Sequence, residues 1–254
     1  MDMQFKDRFC ELWRKYFPEA EVPLAFWYSD SAEGTEKLPL SKERRCFIGD
    51  LDTVRKGQAL RFDQYSIGCH GGKKYCGFSD APVPDFEYFL SCGIPGKVEG
   101  ERYKKTPGLV KEYESRQQSF SAPDQYLVFR RFDQLGWADQ PIAVVFFAPP
   151  DVIAGLFTLA NFSEAELDGV HCPFSAGCGA IVKYPMLENT AERPRAVLGL
   201  FDVSARPYVK NAELSFAVPM GKFMSMVNDM EESFLITKSW APLRRRIEIA
   251  FKRG

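Results

Sequence analysis

The 254-residue chain is 45% hydrophobic and 26% charged, the usual balance of a soluble globular domain, which excludes disordered and fibrous classes. Its 33 Lys and Arg residues against 34 Asp and Glu residues give a net charge of −1, so we expect no nucleic-acid partner. The 22 phenylalanines predict a large aromatic core. The length allows one large domain or two closely packed lobes, at about 1–122 and 123–254.

The N-terminal region and the cysteine content indicate a reducing compartment. Residues 1–17 carry Asp2, Asp7 and Glu11 and so lack the apolar run of a signal peptide. The longest apolar run, 142–150, is about half of the roughly 20 residues that a membrane helix needs. We therefore expect a cytoplasmic protein with no membrane partner. Seven irregularly spaced cysteines then predict thiols, metal ligands or redox groups rather than a disulfide framework.

Hydrophobic periodicity divides the first half of the chain into short elements. Residues 2–17 repeat apolar side chains at helical spacing, and residues 24–28 have the pattern of a buried strand. The other predicted elements of this half are a polar loop (29–40), a helix (43–56), a strand (60–67) and two helices (84–92 and 108–118).

The second half mixes strand and helix patterns. Runs of β-branched and aromatic residues predict two adjacent strands, 126–132 and 142–147. The other predicted elements are strands at 196–201 and 214–219 and helices at 151–162, 221–235 and 240–251. Because strands occur both consecutively and between helices, the order favours an α+β or mixed α/β fold, a single globular unit with a mixed sheet and surrounding helices.

The segment 68–77, Gly-Cys-His-Gly-Gly-Lys-Lys-Tyr-Cys-Gly, is the first with a chemical signal. Its four glycines predict a loop whose backbone can approach a ligand closely. Glycine amides and lysine side chains could hold a phosphate or carboxylate there, although the spacing is that of neither a P-loop nor a dinucleotide fold. An exposed flexible turn is the alternative interpretation. The candidate ligand-binding residues are His70, Gly71, Gly72, Lys73 and Lys74.

A second segment with cysteine and glycine spans 171–181, His-Cys-Pro-Phe-Ser-Ala-Gly-Cys-Gly-Ala-Ile. We predict that it lies between two regular elements. Gly177 and Gly179 flank Cys178 and would shape the backbone around its sulfur, so they are added to the candidate ligand-binding residues.

Several blocks of the sequence resemble one family. They include Arg45-Cys46, Cys69-His70-Gly71-Gly72, Gly177-Cys178-Gly179-Ala180-Ile181, Tyr184-Pro185, Val197-Leu198-Gly199-Leu200-Phe201-Asp202 and Phe216-Ala217-Val218-Pro219. With these blocks the chain resembles the uncharacterised ArCR proteins, the domain of unknown function family 169. The resemblance covers most of the chain and supports the identity of the fold, and it implies no particular chemistry.

Three cysteines, Cys46, Cys69 and Cys178, are the candidate metal ligands. Thiolates are soft ligands that suit zinc or an iron–sulfur cluster, and glycine-rich backbone offers N–H groups to cluster sulfurs. Three ligands would also leave one coordination position open, as in catalytic metal sites. The residues that could complete the set are Cys76, Cys172, His70 and His171.

Three other interpretations stay open. A purely structural interaction protein would have a large exposed apolar patch and no such site. A thiol site without metal would use Cys69 or Cys178 as the nucleophile, with His171 as a base from across the fold. A binding module without catalysis would hold a small anionic molecule, with Lys73 or Lys74 pointing into an apolar cavity. The sequence predicts neither enzymatic activity nor its absence, and it predicts no oligomeric state.

Overall fold

The computed structural model describes residues 1–38, 45–81 and 83–252. The strands are β1 (Leu24–Ser29), β2 (Leu60–Phe62), β3 (Tyr126–Arg131), β4 (Ala143–Ala148), β5 (Val170–His171), β6 (Ala196–Gly199) and β7 (Leu214–Pro219). The α-helices are α1 (Met3–Tyr16), α2 (Phe47–Arg55), α3 (His70–Tyr75), α4 (Phe86–Phe89), α5 (Pro107–Ser115), α6 (Pro150–Ala160), α7 (Tyr184–Asn189), α8 (Met220–Asp229) and α9 (Ala241–Lys252). The remaining helical turns are three 3₁₀ turns (Phe132–Gln134, Arg206–Tyr208 and Phe234–Ile236) and a π-helical turn (Gly179–Lys183).

All seven strands of the described residues form one sheet, in the order β2-β3-β1-β4-β7-β6-β5. Every neighbouring pair is antiparallel except β5 and β6, which are parallel. The single globular unit with a mixed sheet and surrounding helices is therefore confirmed.

The sheet has helices on both faces, and its strands alternate their side chains between two hydrophobic cores. Along β4, Val144 and Phe146 enter one core, whereas Val145 and Phe147 enter the other. Side chains of a strand alternate between the two faces of the sheet. Because both faces are covered here, β4 is apolar at every position and its sequence shows no alternation. The first core holds α1, α6 and α8, and the second holds α2 and the segments that contain Cys76 and Cys178.

A buried arginine fixes α2 against the sheet. Arg55, in the last turn of α2, donates hydrogen bonds to Glu21 (2.5 Å from Nε to Oε1) and to Glu213 (2.7 Å). Its guanidinium also lies 4.8 Å from the ring centre of Phe147. Breaking such a buried pair leaves a charge uncompensated, so this network holds the far end of α2 and thereby the position of Cys46 at its start.

Three expectations about elements are corrected by the structure. The strands predicted at 126–132 and 142–147 are not adjacent, because β1 pairs with both and lies between them. The strand predicted over 60–67 ends at Phe62. The segment 68–77 is not a loop, since residues 70–75 form α3. The predicted helix 43–56 starts at Phe47 in the structure; positions 43 and 44 lie outside the described residues.

The apolar run 142–150 forms β4 and the first residue of α6. Within 1–38, 45–81 and 83–252, the search for a helix with the length and apolar character to cross a membrane finds none.

Candidate functional site

Each of the three predicted cysteine ligands lies immediately before a helical segment. Cys46 precedes α2, Cys69 precedes α3 and Cys178 precedes the π-helical turn. The first two have extended backbone (ψ of 127° and 146°) and only then does the chain turn into the helix. The starts of α2 and α3 carry backbone N–H groups without partners in the helix, so donors are available beside the sulfurs of Cys46 and Cys69. After Cys178, the N–H groups of Gly179 and Ala180 donate to the Ala176 carbonyl.

The backbones on either side of these cysteines approach one another closely. A Cβ atom added to Gly68, next to Cys69, would lie 3.0 Å from the backbone nitrogen of Arg45, next to Cys46. A Cβ atom added to Gly177 would lie 3.5 Å from Cγ1 of Ile48. The three segments, which are separated by many residues in the sequence, therefore meet at one place.

The pKa values of Cys46 and Cys178 depend on the neighbouring cysteines. Burial raises the pKa of Cys178 well above its ordinary value, and the charges of Cys69, Cys46 and Asp202 raise it further. Burial likewise raises the pKa of Cys46, while N–H groups of Gly49 and Ile48 oppose this rise and Cys69 adds to it. The structure thus places Cys46, Cys69 and Cys178 on neighbouring segments, and their role as metal ligands stays a prediction.

Cys76 is the fourth member of this group. It is fully buried, burial raises its pKa well above the ordinary value, and Cys178 and Cys69 contribute in the same sense. Its carbonyl accepts a hydrogen bond from the Tyr28 hydroxyl at 2.8 Å, which fixes the end of α3 against β1. We call Cys46, Cys69, Cys76 and Cys178 the thiol cluster. Solvent reaches it through Cys46 and Cys69, which are half-buried, because the other two are buried.

Hydrogen bonds to Cys69 and to Asp202 fix side chains at the edge of the thiol cluster. The backbone N–H of Gly72 donates to Sγ of Cys69 at 3.3 Å, which orients that sulfur toward the start of α3. The carboxylate of Asp202 accepts from the N–H of Gly177 (3.3 Å) and from the N–H and hydroxyl of Ser204 (3.0 and 2.8 Å). Asp202 therefore places a fixed negative charge near Cys178 and Cys46. The sequence contained Asp202 only as part of a family block, with no chemical pattern to single it out.

A search for groups of three or more His, Cys, Asp or Glu side chains that could hold a metal ion finds none among the described residues. All seven cysteines are free thiols. Of the residues proposed to complete a ligand set, Cys76 is in the thiol cluster, whereas His70 and Cys172 are exposed. His171 lies on β5 with its ring centre 5.8 Å from that of Tyr184, and burial lowers its pKa.

Three of the four glycines predicted to approach a ligand lie in close contact with other parts of the fold. A Cβ atom on Gly72 would lie 2.7 Å from Ile67 and 2.9 Å from Sγ of Cys69, and one on Gly177 would lie 2.8 Å from Leu200. One on Gly179 would lie 2.9 Å from the ring of Tyr75. Gly71 has open space around it.

Of the two lysines of α3, Lys74 points to a carboxylate rather than into an apolar cavity as the binding-module interpretation requires. Lys74 forms an ion pair with Glu114 at 3.1 Å, and its ammonium lies 5.4 Å from the ring centre of Phe86. Lys73 is half-buried on the same short helix. The backbone amide of Lys73 donates to the Cys69 carbonyl at 3.1 Å, so it is used by the helix rather than offered to an anion. Ligand binding by residues 70–74 stays a prediction.

Fold and site together define a mixed α+β protein whose sheet supports a cluster of four free thiols. The family model described as uncharacterised ArCR, DUF169, matches residues 20–229, and the chain belongs to this family. The matched range includes the whole thiol cluster, and the resemblance seen in the sequence is confirmed. No curated protein and no solved structure matches the chain.

Proposed function

We propose that the thiol cluster binds an iron–sulfur cluster, with Cys46, Cys69 and Cys178 as its ligands, and that the protein acts in redox chemistry in a reducing compartment. The observation that supports this proposal is the close approach of the three distant segments that carry these cysteines: Cβ atoms added to Gly68 and Gly177 would lie 3.0 Å from the backbone nitrogen of Arg45 and 3.5 Å from Cγ1 of Ile48. Thiolates are the protein ligands of iron–sulfur clusters, and a set of three leaves one iron open to a further ligand.

The environment of the sulfurs supports this proposal over a purely structural role. Hydrogen bonds from backbone N–H groups to the sulfurs tune iron–sulfur clusters, and Cys69 accepts one from Gly72, while N–H groups of Ile48 and Gly49 lower the pKa of Cys46. A buried cysteine that serves only as a small hydrophobe needs no such donors.

Because the pKa values of Cys46 and Cys178 are raised, binding of the iron–sulfur cluster must release protons from these thiols. At neutral pH the half-buried thiol of Cys46 and the buried thiol of Cys178 are protonated, whereas a metal-bound cysteine is a thiolate. Loading therefore releases protons, and it becomes more favourable as pH rises toward the pKa values of the free thiols.

The experiment is anaerobic reconstitution of the full chain with ferrous iron and sulfide, followed by visible absorbance and analysis of iron, zinc and sulfide. We expect iron and sulfide to bind with broad charge-transfer absorbance in the wild type. We expect Cys46→Ser, Cys69→Ser and Cys178→Ser to lose both, and the matched controls Cys92→Ser and Cys172→Ser, at exposed cysteines outside the cluster, to keep them.

Three results would contradict the proposal. Colourless protein with stoichiometric zinc would replace the iron–sulfur cluster with a zinc site. Metal-free protein in which Cys46 and Cys69 form a reversible disulfide would make this a thiol redox site, as the half-buried pair allows. Equal loss of iron in the control variants would show that binding does not involve the thiol cluster.

A further inference from the structure

Lys183 is a buried lysine. In the part of the chain that the structure describes, it forms no ion pair with a carboxylate. Its exposed fraction is 5%, and its ammonium donates to the side-chain oxygen of Gln117 at 3.3 Å. Burying an ammonium is costly unless an opposite charge or several hydrogen bonds compensate it. A neutral amide oxygen at this distance compensates it only weakly.

The surroundings of Lys183 add positive charge and aromatic rings. Its ammonium lies 5.8 Å from the ring centre of Tyr75 and 5.9 Å from that of Tyr184. Burial lowers the pKa of Lys183, and the charge of Lys74 lowers it further. Because Glu114 already pairs with Lys74, its carboxylate is engaged. The charge of Asp80 opposes this lowering, but within the described residues no ion pair joins Asp80 to the Lys183 ammonium.

A second buried lysine, Lys222, has the carboxylate partner that a buried ammonium needs. Lys222 is 7% exposed, close to the value for Lys183, and it forms an ion pair with Glu164. The two lysines are buried to a similar extent, but within the described residues only Lys222 forms an ion pair with a carboxylate. This difference indicates that the negative partner of Lys183 comes from a ligand.

The backbone around Lys183 is also unusual. The N–H of Tyr184 donates to the carbonyl of Gly179, five residues earlier, which makes residues 179–183 a π-helical turn with every side chain position buried. Such turns are rare and frequently lie at functional sites. Here the wider turn carries Lys183 inward, where a regular amphipathic helix would turn some of these positions toward solvent.

The amide partner of Lys183 is next in sequence to an open cleft. This cleft is lined by Gln118 and Ser119, which follow Gln117, and by Leu187 of α7, one helical turn after Lys183. Lys183 does not line the cleft itself, so a ligand that reached its ammonium from there would have to displace the Gln117 side chain.

We propose that Lys183 anchors a small organic carboxylate, which replaces the side-chain oxygen of Gln117 and lies between the rings of Tyr75 and Tyr184. A planar carboxylate fits between two aromatic faces better than a tetrahedral phosphate does, and an ammonium donates readily to its oxygens. This site is separate from the proposed iron–sulfur ligands, so the metal-free wild type can be tested.

The experiment uses acetate as the probe, with chloride at equal ionic strength as the reference and inorganic phosphate as the competing class. NMR of protein with ¹³C at the lysine Cε positions should show acetate-dependent shifts of the Lys183 signal and none of the Lys222 signal. Gln117→Ala removes the competing oxygen and should tighten acetate binding by about two- to tenfold. The Lys183 signal is assigned by its loss in Lys183→Met.

Thermal unfolding supplies the matched comparison. Lys183→Met should leave the melting temperature unchanged or raise it and should abolish the stabilisation by acetate. Lys222→Met should lower the melting temperature by about 5 °C or more, because Glu164 is left unpaired. An equal loss in both variants, no effect of acetate on the wild type, or tighter binding of phosphate than acetate would each overturn the proposal.

Discussion

Differences in exposure and pKa among the seven cysteines should appear directly in their reactivity. The thiolate is the reactive form, so a pKa raised by burial lowers the reactive fraction at neutral pH. At pH 7.5 we expect iodoacetamide to label Cys92 and Cys172 first. Cys76 and Cys178 should react slower by about tenfold or more, since they also need local unfolding before the reagent can reach them.

Mass spectrometry of peptides from a labelling time course measures these rates, and denatured protein, in which all seven cysteines should react alike, is the control. Labelling of Cys46 should also increase as pH rises from 7 to 9, because burial raises its pKa and more thiolate forms at higher pH. Rapid labelling of Cys178 in the native protein would refute its buried position.

At the residue scale, the chemistry of a side chain can be predicted from the sequence, but its burial cannot. Soft-ligand chemistry, with nearby glycines at Cys69 and Cys178, singled out three cysteines whose segments are neighbours in the structure. Burial, in contrast, depends on which segments pack together. Cys178 is buried whereas Cys172, six residues earlier, is exposed, and Lys183 has no sequence pattern that distinguishes it from a surface lysine.

At the element scale, the two central glycines of α3 should respond oppositely to alanine. Gly71 has open space, so Gly71→Ala should stabilise the protein by up to about 1 kcal/mol through better helix propensity. Gly72 faces Ile67 and the sulfur of Cys69, so Gly72→Ala should destabilise it by about 1–3 kcal/mol through overpacking. Urea unfolding of both variants measures the two free energies, and a similar sign for both would contradict the packing of α3.

The same helix shows why some elements could not be predicted. Dense glycines indicate a loop by local propensity, yet residues 70–75 are helical because Gly72 lets α3 pack against the start of α2. The strand patterns at β3 and β4 were correct, but their adjacency was not. Strand order depends on long-range pairing, and β1 inserts between them from more than ninety residues earlier in the chain.

At the scale of the whole molecule, the sheet order links the two halves of the chain. β1, from the first half, pairs on both sides with strands of the second half, β3 and β4. β2, also from the first half, pairs with β3. A division into lobes near residue 122 would cut through these pairings. We therefore propose that the chain unfolds as one cooperative unit with two cores on opposite faces of one sheet.

This proposal is tested by neighbouring substitutions on β4 that enter opposite cores. Val144 and Val145 are both fully buried, and each change to alanine should cost about 2 kcal/mol from lost burial and the resulting cavity. Fluorescence of Trp13 and Trp240 reports on the first core, and thiol reactivity of Cys178 reports on the second. If the sheet couples the cores, each substitution shifts both urea midpoints equally. If Val144→Ala moves only the fluorescence midpoint and Val145→Ala only the thiol midpoint, the two faces unfold separately and the molecule is not one cooperative unit.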